Sequence, residues 1–144
     1  MCENEETKYL NKLYQGAEMG VIGIDSVIDK AHQEEFRDSL LSQKKEYEKI
    51  ENQIVEILKK YGCEEKGIGK MAKKSSEVMS EMKIKMDDSD SQIAKMMMEG
   101  NNKGIIEITK IKNEYNGSDE EIKNLIDEFL KTMEQNLEDM KKYL

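Results

Sequence analysis

Proline and tryptophan are absent from this chain, histidine and arginine occur once each, as His32 and Arg37, and there are only two phenylalanines. Without proline the strongest helix breaker is gone, and few aromatic residues remain to favour strands. The prevalence of Lys, Glu, Ile, Met and Asn therefore predicts an all-α protein. A single histidine leaves imidazole chemistry almost no material, and His32 has no partner nucleophile in sequence, so no catalytic residue and no cofactor are expected. No apolar run approaches the roughly 20 residues that a membrane-spanning helix needs. The formal net charge of -8 opposes nucleic-acid binding, which relies on Lys and Arg neutralising phosphates, and opposes adsorption to anionic lipid. Residues 1–6, Met-Cys-Glu-Asn-Glu-Glu, lack the basic region and apolar core of a signal peptide, which points to the cytoplasm. The two cysteines, Cys2 and Cys63, have no second ligand at metal spacing beside them and read as free reduced thiols. Cys2, early in the chain and expected to be exposed, is the one open to an intermolecular bridge.

The 144 residues, 37% of them apolar, suit a single domain, 1–144, with one core. Leu10, Leu13, Ala17, Gly20, Ile24, Val27 and Ala31 recur at spacings of three and four, which predicts a first helix with one apolar seam over residues 6–31. Phe36, Leu40, Gln43, Tyr47, Ile50, Ile54, Ile57 and Tyr61 repeat the pattern in a second helix, and Gly62 supplies a C-terminal cap. The short gap between the two predicts an antiparallel hairpin, 6–61. Ser89-Asp90-Ser91-Gln92 has the form of a capping box and opens a third helix, whose seam is Ala94, Met97, Asn101, Gly104, Ile108, Ile111 and Tyr115. Asn116-Gly117 ends it, and Ser118-Asp119-Glu120-Glu121 is a second capping box. The fourth helix then carries Ile122, Ile126, Phe129, Met133, Asn136, Met140 and Tyr143, completing a hairpin over 89–144. Between the hairpins, residues 62–88 read as a long crossover containing a short helix. A link of about 26 residues is far longer than the 2 to 8 of a simple bundle turn.

The hairpin is written twice. Gly16 and Gly20, with the apolar run after them, return 84 residues later as Gly100 and Gly104, and the seams of the first and third helices keep the same offset. Because a glycine inside a helix costs about 1 kcal/mol relative to alanine, these four mark sites of close helix packing, as between the first and third helices, or else a groove left for a ligand. Two antiparallel hairpins related by a pseudo-twofold and joined by a long crossover resemble the ferritin-like superfamily, and most of all its small bacterial four-helix-bundle families that lack the di-iron histidines. The resemblance implies a ferritin-like antiparallel four-helix bundle. Active members hold two metals with a Glu from each of two helices and a Glu-x-x-His from each of the other two. This chain has no Glu-x-x-His, so none of those ligands transfers to it.

Counted from the two tight turns, Gln43, Asn101 and Asn136 fall near mid-length on otherwise apolar seams, about where a ferritin holds metal. Two readings are open: a hydrogen-bonded cluster that fixes helix register, or a small-ligand or weak metal site completed by a nearby carboxylate such as Glu46. Glu18 lies beside the first glycine pair but one step off the seam, and is expected on a solvated flank together with Glu99, Glu134 and Glu138. Seven of the eleven methionines fall between Met71 and Met98. Thioethers can bind Cu(I), but without interleaved His or Cys this stretch reads as adaptable packing. The expected function is that of a non-catalytic bundle acting by association, with itself as a dimer or with protein partners. The alternative is a degenerate carboxylate metal-binding or metal-storage protein.

Overall fold

A computed structural model describes residue 2 and residues 4–67 and 89–144. Four α-helices carry this part of the chain, and no strand occurs among the described residues. Helix α1 spans Glu5–Val27 and passes into a short 3-10 turn, Ile28–Lys30, while α2 spans Glu34–Lys60. Helices α3 and α4 span Asp90–Glu114 and Glu120–Met140, the latter followed by a 3-10 turn over Lys141–Tyr143.

Local signals explain most of the boundaries. The Asn4 side chain accepts the Thr7 N–H at 2.8 Å and so caps α1, with Glu5 and Glu6 favourably placed at the positive end of the helix dipole. Gly62, at φ +72°, closes α2: its N–H donates to Lys59 O and that of Cys63 donates to Leu58 O, the paired bonds of a Schellman motif. Ser89 caps α3 by accepting the Gln92 N–H at 3.3 Å. The cap of α4 is Asp119 and not the expected Ser118: its carboxylate accepts the N–H groups of Glu121 and Ile122. An aspartate beside a serine competes well for the cap, because its charged oxygen makes a stronger bond to the exposed donors.

Contacts at the two ends fix the helix directions. At one end the Asp90 carboxylate, at the start of α3, accepts the backbone N–H groups of His32 at 2.7 Å and Gln33 at 2.9 Å, and Tyr143 packs on Phe36. At the other, Tyr9 meets Tyr115 edge-on at 5.8 Å, and the Tyr61 hydroxyl donates to Asp119. Helices α1 and α4 therefore run one way and α2 and α3 the other. The chain leaves α2 at the opposite end of the bundle from where it enters α3. The short helix expected within 62–88 falls largely on residues 68–88, outside those described. Residues 63–67 lie along α1, where Asn11 Oδ1 accepts the Lys66 N–H at 2.9 Å and Gln15 Nε2 donates to Lys66 O at 3.2 Å.

The four predicted seams meet in one core. Leu10, Leu13, Ala17, Ile24, Val27, Phe36, Leu40, Ile54, Ala94, Ile122 and Phe129 are all fully buried in it. One sequence expectation is overturned at the base of the first hairpin. Cys2 and Cys63 are not free thiols but form a disulfide within the chain, with Cα atoms 5.5 Å apart. Antiparallel pairing of α1 and α2 brings the residues just before α1 and just after α2 to the same end, a proximity hidden by their separation of 61 in sequence.

Candidate functional site

The three amides singled out from the sequence are all in the core: Gln43 is 2% exposed, Asn101 5% and Asn136 1%. What joins two of them is Tyr47, on α2 one turn from Gln43. Its hydroxyl donates to Asn101 Oδ1 at 3.0 Å across to α3, and Asn136 of α4 stands beside the same hydroxyl. Burial pushes the Tyr47 hydroxyl up to about 12, against a smaller opposing effect of the Asn136 amide, so it remains a neutral donor at any physiological pH. The amides are not bonded to one another. Both side-chain polar atoms of Gln43, and Nδ2 of Asn101 and of Asn136, make no hydrogen bond among the described residues. Sequence reasoning placed Tyr47 only as a seam residue. The available signal was its type, because a buried tyrosine generally needs a partner for its hydroxyl.

The repeated glycines explain how this tyrosine fits. A Cβ on Gly20 would lie 2.9 Å from Tyr47 Cδ2, and a Cβ on Gly104, the repeat partner of Gly20, would run into the end of Met133. Each glycine thus admits one large side chain from the other helix of its own hairpin. The other pair is less uniform. At Gly16 a Cβ would make ordinary contacts of 3.6 Å with Ile108 and Phe129, but at Gly100 nothing lies within 4 Å. Gly100 is exposed, and close packing there is not found. The repeat holds in sequence at all four positions, yet only the pair facing the hairpin partners is crowded.

Around this centre charged groups stay on the flanks. Glu46 is exposed, with partial desolvation of its carboxyl and then the charge of Asp139 holding it above the ordinary range, whereas half-buried Glu18 faces Glu51 on the other side of α2. The weak metal candidates Glu18 and Glu46 are therefore not brought together, and among the described residues no three of His, Cys, Asp and Glu gather as a metal-binding group. Glu51 was not anticipated. Burial, then the charges of Glu18 and Glu48, push its carboxyl up to about 7, opposed by a hydrogen bond with Tyr14. Glu99, Glu134 and Glu138 are exposed, as expected. Met97 is buried, whereas Met71, Met79, Met82 and Met86 lie outside the described residues. A shallow groove of about 800 Å³ runs between α2 and α4 past Lys45, Lys49, Gln53 and Glu128, and does not reach the central residues. No helix among the described residues is long and apolar enough to cross a membrane.

Two repeated helical hairpins packed around a neutral centre of amide, tyrosine and glycine place this chain among all-α helical bundles. It belongs to the DUF2383 family, a domain of unknown function, whose model matches residues 5–114, from the first residue of α1 to the last of α3. No curated protein matches the chain. Among solved structures it is similar to "YcfI, a putative structural protein from Rhodopseudomonas palustris", at 12% identity and a TM-score of 0.60 over 96% of this chain and 94% of that one. At that identity the likeness concerns the fold.

Proposed function

We propose that this protein is a non-catalytic, ferritin-like helical bundle of the cytoplasm that serves a structural role through association, first of all with a second copy of itself. The observation that carries this reading is the composition of the bundle centre. Gly20, Gln43, Tyr47, Asn101 and Asn136 are all uncharged, and Tyr47 is tied to Asn101 in a way that suits fixing helix register better than chemistry. A ferritin-like arrangement is supported by the repeat of 84 residues, by the opposite directions of α1 and α2, and by α2 and α3 running parallel. The words "putative structural protein" used of YcfI agree with a role in assembly. The acidic balance works against nucleic acid as a partner. The test is elemental analysis of the purified protein together with its mass in solution. Metal well below one equivalent and a dimer mass are expected. Stoichiometric iron with rapid ferrous oxidation would replace this reading with the metal-storage alternative, and a monomer at high concentration would remove self-association.

A further inference from the structure

The disulfide joins two residues in unequal surroundings. Cys63 is 5% exposed, lies directly after the Schellman turn that ends α2, and is enclosed by the core. Cys2 is only half-buried, and its carbonyl accepts the Thr7 hydroxyl at 2.8 Å, which ties Cys2 to the first turn of α1. The bridge therefore fastens the start of α1 to the end of α2. Beyond it, residues 63–67 continue along α1, held there by Asn11 and Gln15.

We propose that Cys2–Cys63 is a reversible thiol–disulfide exchange site, entered at Cys2 by a small thiol, which opens and closes the base of the first hairpin. The thiolate of the incoming thiol attacks Cys2 Sγ, the more accessible sulfur. The Cys2–Cys63 bond breaks, Cys63 leaves as a thiolate and takes up a proton, and a mixed disulfide remains on Cys2. A second thiol then attacks the small-molecule sulfur of that adduct and releases Cys2, so that two electrons and two protons have passed to the protein and the two small thiols have become a disulfide. Oxidised glutathione runs the sequence backwards. In the cytoplasm, the compartment proposed above, disulfides are typically transient and redox-sensing, which suits a bridge with one open face. Cys63 is one residue at the edge of a core that runs the length of all four helices, so opening the bridge frees the hairpin base without dismantling the bundle.

The test uses the full chain isolated without reductant. With limiting reduced glutathione, peptide mapping should find the adduct on Cys2. Excess dithiothreitol should yield two alkylatable thiols, and oxidised glutathione should close the bridge again within one chain. Hydrogen exchange at residues 4–10 and 61–67 should rise at least several-fold on reduction, while residues 36–58 stay protected. An adduct on Cys63, a bridge that re-forms between chains, or unchanged exchange at the hairpin base would overturn the proposal. In Cys2→Ser the hairpin base should exchange as in the reduced protein whatever the redox buffer, and buried Cys63 should alkylate slowly. A redox response surviving in that variant would also overturn it.

Discussion

The ring of Tyr47 occupies the space left by the missing side chain of Gly20, so that a Cβ there would stand 2.9 Å from Cδ2. With its hydroxyl bonded to Asn101 Oδ1 on α3, the ring is held at both ends and cannot easily step aside. Met133, which fills the matching space at Gly104, ends in a flexible thioether arm.

That difference should separate three alanine substitutions. Gly20→Ala is expected to destabilise by about 1 to 3 kcal/mol, since overpacking against a pinned ring outweighs the gain in helix propensity. Gly104→Ala should be close to neutral, because Met133 can change rotamer. Gly100→Ala, with open space around it, should stabilise by about 1 kcal/mol. Urea midpoints at constant slope would rank the three. Equal effects would show that Tyr47 is free to move.

The central amides should also respond unequally. Gln43 is buried with neither polar atom bonded, so Gln43→Leu is expected to stabilise by about 1 to 2 kcal/mol. Tyr47→Phe removes the donor to Asn101 and should cost about 1 to 2 kcal/mol. In a double-mutant cycle with Asn101→Leu, the combined loss should be smaller than the sum of the single losses. Strict additivity in thermal or denaturant unfolding would show that the bond carries no coupling.

Glu51 makes stability depend on pH near neutrality. Its carboxyl in the folded chain titrates at about 7, above the range of an unfolded glutamate. The folded state therefore binds more protons between about pH 4.5 and 7, and the contribution to stability is full below that window and lost as pH rises through it. Because the group is only half-buried, solvent screening reduces the effect to about 1 kcal/mol. Glu51→Gln should be more stable than the parent at pH 8 and indistinguishable from it near pH 4.5. Melting curves across this range check the sign.

Asp90 closes the far end of α2. The N-cap position of that helix, Gln33, makes no side-chain cap of its own, and the buried Asp90 carboxylate on α3 takes the N–H groups of His32 and Gln33 instead. Asp90→Ala should cost about 2 to 3 kcal/mol, as two backbone donors lose a charged acceptor, and Asp90→Asn should cost less. Loss of exchange protection confined to residues 31–36 and 89–92 would mark the site of the damage.

Reducing the Cys2–Cys63 bridge should lower stability by up to about 4 kcal/mol, the chain-entropy value for a loop of this size. Unfolding of the oxidised and reduced protein under one buffer measures it directly.

The seams were legible in the sequence because a spacing of three and four residues has only one compact interpretation. Leu10 to Val27, Phe36 to Ile57, Ala94 to Ile111 and Ile122 to Met140 are the core as found. The burial of Gln43, Asn101 and Asn136 followed from the same phase. So did the helix ends at Gly62 and Ser89, whose caps are local and need only a few neighbouring residues. What depended on distant parts of the chain was settled only in three dimensions. Tyr47 became the centre of the site when packing placed its hydroxyl against Asn101, 54 residues away, and Asp90 became the cap of α2 across a separation of 58. Gly100 and Gly104 look alike in the repeat, but only Gly104 faces a large side chain from its hairpin partner. The cysteines were misjudged for the same reason: composition and spacing describe neighbours along the chain, whereas a disulfide needs two ends of a folded hairpin to meet, and no local pattern records that meeting.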